Sequence, residues 1–195
     1  MSVFPAADWE REEPEALGFN PARLEAVGEW QSDHADDSPY RLLVVRDGRI
    51  AAEWQGGGIG RDDLQGQASA SKSTYSTLLG IAIAEGVIGS ADDLVADYYP
   101  EFLDVAPDEG PKENRYAFPE NAGITFRQLI GNMSGYMKPG ELPGQTFNYQ
   151  TFGMNVVTHA LASEYSLYRS SDPERGAGFG RLTERKVRNL IGGSW

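Results

Sequence analysis

Cysteine is missing from the 195 residues, which excludes disulfides, thiolate metal sites and a cysteine nucleophile. Histidine is almost as scarce, with only His34 and His159, so a metal centre has little to build on and none is expected. Positive charge is also short. There are 17 Lys and Arg against 29 Asp and Glu, giving a net charge of −12 and a pI near 4.6. Phosphates would be repelled, so neither nucleic acid nor an anionic membrane surface is an expected partner. No apolar run of about 18 residues occurs, so no transmembrane helix is expected. The start, Met1 to Glu10, lacks the basic and apolar regions of a secretory signal, and the expected location is cytoplasmic.

What is present suffices for a core, with 40% hydrophobic and 11% aromatic residues. The length suits one domain or an incomplete piece of a larger one. Residues 1–18 read as an extended arm punctuated by proline. Asn20 followed by Pro21 is an N-cap with proline at the first helical position, and Leu24, Val27 and Trp30 carry a helix to about Asp33. Tyr40–Arg46, with the apolar run Leu42 to Val45, and Ile50–Trp54 read as strands around the hairpin signal Asp47-Gly48. A helix is expected from about Ala70 to Glu85, apolar round most of its circumference and stopped by Gly86. A short acidic helix at Ala91–Tyr98, a long loop at 105–123, a helix from Thr125 to about Asn132, one at Thr151–Glu164 and an amphipathic one at Thr183–Ile191 complete the reading.

The most informative stretch is Ser69-Ala70-Ser71-Lys72. It sets a hydroxyl and an amine three residues apart, on one face of a helix start. A serine beside a proton acceptor is the minimum equipment for covalent acyl transfer. With 14 Ser and 4 Lys in the chain, chance alone gives about 0.3 such matches, so the rest of the chain must carry the argument. The bland alternative is a polar helix end with a solvated lysine.

Other motifs lead nowhere. Gly56-Gly57-Gly58-Ile59-Gly60 has Arg61 where a dinucleotide loop needs its third glycine, and it lacks the Lys-Ser/Thr of a P-loop. Gly176-Ala177-Gly178-Phe179-Gly180 fails the same test. A Ser-His-Asp triad needs a nucleophile elbow, and Gly131-Asn132-Met133-Ser134-Gly135 has the wrong spacing. Asp62-Asp63 and Asp92-Asp93 read as solvated cap and loop residues, His34 as a surface residue, and His159 as structural or exposed.

Taken together and in order, Ser69-Ala70-Ser71-Lys72 with Ile81–Gly86, Ile124–Ile130 with Ser134-Gly135, and Pro143–Tyr149 resemble the serine β-lactamase and penicillin-binding-protein superfamily. Within it the chain is similar to the branch holding class C β-lactamases, related carboxylesterases and 6-aminohexanoate-dimer hydrolases. The resemblance spans about residues 20–165 and includes the hairpin. It implies that Ser69 is the nucleophile and Lys72 a proton shuttle. It also implies that Tyr149 exchanges a proton with the serine and the leaving group. Gln150 and Thr151 would bind substrate, with Thr151 departing from the Asn or Ser usual there. The backbone N–H of Ser69 would be one oxyanion donor, favoured by the helix dipole. No cofactor or metal is implied.

Elementary physics is compatible with these roles. An exposed lysine is neutral in only about one molecule in 2,500 at pH 7, and burial against apolar helices would raise that fraction. A neighbouring ammonium would lower the pKa of Tyr149, and the pair would titrate together. Whether Lys72 or Tyr149 is the base stays open.

The resemblance also implies a third motif, Lys/His-x-Gly on a strand, but no Lys or His is followed by x-Gly after residue 149. The expected fold is therefore α+β, β-lactamase/transpeptidase-like and incomplete. Residues 1–68 would give the N-terminal arm, helix and hairpin of the sheet layer. Residues 69–195 would give the nucleophile helix and most of the helical region, with the C-terminal strands absent. The implied reaction is hydrolysis of a small-molecule ester or amide through a Ser69 acyl-enzyme. A non-catalytic, penicillin-recognition-like binding module and an inert fragment are the alternatives.

Overall fold

Asn20 caps the first helix as its sequence predicts. Its side chain accepts from Arg23 N at 3.0 Å, and helix α1 runs Pro21–His34 in the computed structural model. The structure describes residues 3–4, 8–169, 171–172 and 178–193, so parts of the expected arm, together with Gly176 and Ala177, lie outside the described residues. Strands β1 (Tyr40–Arg46) and β2 (Arg49–Gly56) pair antiparallel, with an irregularity between Val44 and Val45. The turn needs two left-handed residues. Asp47 and Gly48 supply them at φ 53° and 79°, as the Asp-Gly signal requires.

The chain divides into two compact units, 1–65 and 66–195. In the first, Leu17, Leu24 and Ala51 are buried with Phe19, Val44, Ala52 and Trp54 packed around them. The arm is not simply extended. It turns over residues 14–18, and Arg11 forms a parallel bridge with Ile50. Ile50 N donates to Glu10 O at 2.9 Å and Glu12 N to Ile50 O at 3.2 Å. The free edge of β2 is thus met by the arm, which limits strand pairing with other chains there.

The second unit begins differently from expectation. Residues Ala68–Lys72 form a 3₁₀ turn, and helix α2 proper covers Ser73–Ala84. Two serine hydroxyls brace this turn. Ser71 Oγ donates to Ala68 O at 2.6 Å and Ser73 Oγ to Ala70 O at 2.8 Å, each reaching back three residues. Helix α2 buries one face, with Leu78, Leu79 and Ala82 inside and Ile81 and Ile83 half-buried; it is not enclosed all round. Gly86, at φ 72°, ends it as expected.

The expected helix over 91–98 reduces to a 3₁₀ turn at Val95–Asp97. The cause is competition for carbonyls. Ala91 O accepts from Arg127 N at 2.7 Å and Asp93 O from Phe126 N at 3.4 Å, so they serve the next helix instead. That helix, α3 (Phe126–Ile130), starts with a reciprocal cap between Thr125 and Gln128. It stops before Asn132, which turns left-handed at φ 54°. Helix α4 is Thr151–Glu164, as expected. The last helical run starts earlier than expected. It comprises α5 (Gly178–Thr183), a wider π turn at Glu184–Arg188, and α6 (Asn189–Ile191).

The core of this unit joins Leu78 and Ala82 of α2, Phe126 and Leu129 of α3, and Val157 and Leu161 of α4. Burying side chains of this size contributes about 1.5–3 kcal/mol each. Tyr98 stands edge-on to Phe126 with ring centroids 5.5 Å apart, and its hydroxyl donates to Asp93 Oδ2 at 2.6 Å. Asp92 pairs with Arg127 through two bonds of 2.6 and 2.9 Å, and Asp63 caps Gly60 N at 2.7 Å, so these acids serve loops. His34 is exposed and stacks on Trp30, while half-buried His159 donates from Nδ1 to Asn155 O at 2.8 Å and stacks on Tyr99. Among the described residues no helix is long and apolar enough to cross a membrane, and no cluster of His, Asp and Glu could hold a metal ion.

Candidate active site

The 3₁₀ turn at residues 68–72 has a direct chemical consequence. With three residues per turn, side chains at i and i+3 eclipse one another. Ser69 and Lys72 are such a pair, and Lys72 Nζ donates to Ser69 Oγ at 2.9 Å. The residue before the serine is strained. Ala68 holds φ at 44°, a left-handed conformation that costs an L-residue about 1–2 kcal/mol. Ser69 itself is exposed and Lys72 half-buried, so the apolar enclosure expected around the lysine is not found among the described residues.

Tyr149 reaches the same oxygen from eighty residues away. Its hydroxyl donates to Ser69 Oγ at 2.7 Å, and Lys72 Nζ sits 5.7 Å from the centre of its ring. The hydroxyl of Ser69 has two lone pairs, enough to accept from both neighbours at once. Should the phenol ionise, the bond reverses and Ser69 donates to the phenolate. That reversed bond, followed by contact with the Lys72 ammonium, holds the Tyr149 phenol below the ordinary tyrosine range.

A loop clamp positions Tyr149. Asn132 accepts from the residues on either side of it: Asn148 N donates to Asn132 O at 2.8 Å, and Gln150 N to Asn132 Oδ1 at 3.0 Å. Beneath lies buried Ser134, whose Oγ accepts from Gln150 Nε2 at 3.2 Å and from Tyr136 N at 3.2 Å. Gly135 is required here. It holds φ at 62°, and a Cβ on it would lie 2.1 Å from Glu141 O. Asn132 was not a site residue on sequence grounds. A left-handed asparagine just past a helix end is the one signal that could have marked it.

Of the two expected substrate-binding residues, Gln150 has its side-chain amide engaged by Ser134, and Thr151 is exposed at the start of α4. The described hydrogen bond of Lys72 runs to Ser69, none to Thr151. Tyr149, Gln150 and Thr151 together line a cavity of about 290 Å³.

Comparison with known proteins decides the family. The family model described as Beta-lactamase matches residues 40–180. The chain belongs to the beta-lactamase family. The match takes in the hairpin, the turn carrying Ser69 and Lys72, and the loop carrying Tyr149. Beta-lactamase family members are in general serine hydrolases. No curated protein sequence matches the chain.

Proposed function

We propose that this beta-lactamase family chain hydrolyses an ester or amide through an acyl-enzyme on Ser69. Its nearest kinship would be the branch of class C β-lactamases, related carboxylesterases and 6-aminohexanoate-dimer hydrolases. The observation that carries the reading is the convergence of Lys72 Nζ and Tyr149 Oη on Ser69 Oγ, at 2.9 and 2.7 Å. A serine hydroxyl is a poor nucleophile until a positioned base takes its proton.

Tyr149 is the base in this reading, because its environment favours the phenolate and Lys72 supplies the stabilising charge. Ser69 Oγ attacks the carbonyl carbon while its proton passes to the Tyr149 phenolate. The tetrahedral oxyanion gathers against the Ser69 backbone N–H. Collapse breaks the bond to the leaving group, which departs with the proton from Tyr149. Water then attacks the acyl carbon, gives a proton to the phenolate, and Ser69 recovers its hydroxyl proton as the acid is released. Gln150 and Thr151 border the space the substrate enters.

Treatment with a fluorophosphonate probe, followed by peptide mass mapping, tests this. The adduct is expected on Ser69 and nowhere in the Ser69→Ala variant. Labelling at Ser71 or Ser73 instead would overturn the assignment, and no labelling would favour a non-catalytic binding module.

A further inference from the structure

The cavity beside Tyr149 has an unusual lining for so acidic a chain. Lys112, Arg115 and Lys138 all border it, with no aspartate or glutamate among the lining residues. The chain carries 29 acidic and only 17 Lys and Arg residues, so three cations at one small cavity run against the overall charge. Among the described residues neither Lys112 nor Arg115 forms an ion pair with a carboxylate. Arg115 Nη1 donates to the carbonyl of Met137 at 3.3 Å, which anchors the guanidinium; among the described residues its other donors meet no side chain or backbone acceptor.

Lys138 is the deeper charge, only 6% exposed, and its Nζ has no hydrogen-bond partner among the described residues. Glu141 Oε2 stands 3.8 Å away, beyond hydrogen-bond reach, and the Glu141 carboxylate accepts from Asn148 Nδ2 at 3.0 Å. A buried ammonium so weakly paired is costly unless another anion approaches. Burial accordingly pushes the Lys138 ammonium pKa down, with Glu141 opposing.

Ser69 does not line the cavity, and one side chain links the two. Tyr149 lines it and also bonds Ser69 Oγ. A volume of about 290 Å³ suits a short substituent ending in a carboxylate. We propose that this cavity is an anion subsite, and that substrates of Ser69 carry a carboxylate held there by Arg115 and Lys112 over the positive field of Lys138. The inference rests on the Ser69 hydrolase reading and narrows its substrate class to anionic esters or amides.

Two measurements test it. The first compares kcat/KM for mono-p-nitrophenyl glutarate with that for its neutral methyl ester. The anionic ester is expected to be preferred at low ionic strength, with the preference fading in salt. Arg115→Gln and Lys112→Gln should each reduce the anionic-to-neutral ratio roughly tenfold or more, the scale of a lost charged hydrogen bond. Lys138→Met should reduce it too. Hydrolysis of both esters at equal rates, or a ratio unmoved by Arg115→Gln, would overturn the subsite while leaving Ser69 as nucleophile. The second measurement does not depend on turnover. Calorimetric titration with 4-benzoylbutyrate and with its neutral amide should show tighter binding of the carboxylate, weakened roughly tenfold by Arg115→Gln. If neither ester acylates Ser69, the hydrolase reading fails, and this titration still decides the subsite: equal affinity for acid and amide refutes it.

Discussion

Replacing Tyr149 by Phe removes one oxygen, 2.7 Å from Ser69 Oγ, and leaves the ring that Lys72 faces. The side chain is 53% exposed, so packing changes little. The depressed phenol pKa stabilises the fold fully only above the unfolded tyrosine value near 10, and that contribution is lost as pH falls through the folded value. At pH 7 the variant should therefore melt like the parent. Turnover is a different matter. Losing a general acid–base group costs about 10²-fold or more in kcat. The pH profile is more diagnostic than the magnitude. With Tyr149 as base, kcat/KM of the parent rises about tenfold per pH unit up to an inflection below 10, the ordinary tyrosine value. Hydrolysis of p-nitrophenyl butyrate from pH 5 to 10 follows both. A Tyr149→Phe protein that keeps full turnover and the same rising limb would show that the tyrosine is structural.

Lys72→Ala should also lower kcat about 10²-fold or more, and should move the inflection upward toward the ordinary tyrosine value, because Lys72 is one cause of its depression; an inflection that stays in place would separate the two residues. Tyr136→Phe deletes a buried hydroxyl that donates to Phe102 O at 2.6 Å, and should cost about 1–3 kcal/mol, seen as a lower urea midpoint at unchanged slope. Ala68→Gly should leave Tm unchanged or raise it, since glycine accepts φ 44° without strain, whereas Ala68→Val should lower it. A clear loss of stability in the glycine variant would mean that residue 68 is not left-handed in solution.

Elements whose ends are written in local chemistry were legible in the sequence. Asn20-Pro21, Asp47-Gly48 and Thr125 each act within a few residues, and each sits where the pattern placed it. The 3₁₀ turn was not legible, because the five residues Ala68–Lys72 are too few to separate a period of 3.0 from one of 3.6. The Ser71 and Ser73 hydroxyls brace it by reaching carbonyls three residues back. The loss of helix over 91–94 depended on a partner thirty-odd residues away, the amides that open α3. The juxtaposition of Ser69 with Lys72 could be inferred from spacing. The clamp of Asn132 on the chain around Tyr149 could not, since it depends on tertiary contact between two loops. Nothing in the sequence marks Lys138, and its burial comes from the tertiary fold.

The Asn132 clamp also makes the site measurable without a substrate. The amides of Asn148 and Gln150 flank the phenol, and both end on Asn132. Whenever that small latch opens, those two protons exchange with solvent and Tyr149 loses its seat at the same moment. Their exchange rates therefore report the fraction of time the three-group constellation is assembled. A mutation or ligand that leaves Tm unchanged but slows exchange at these two positions raises the competent population, and apparent affinity follows that fraction directly.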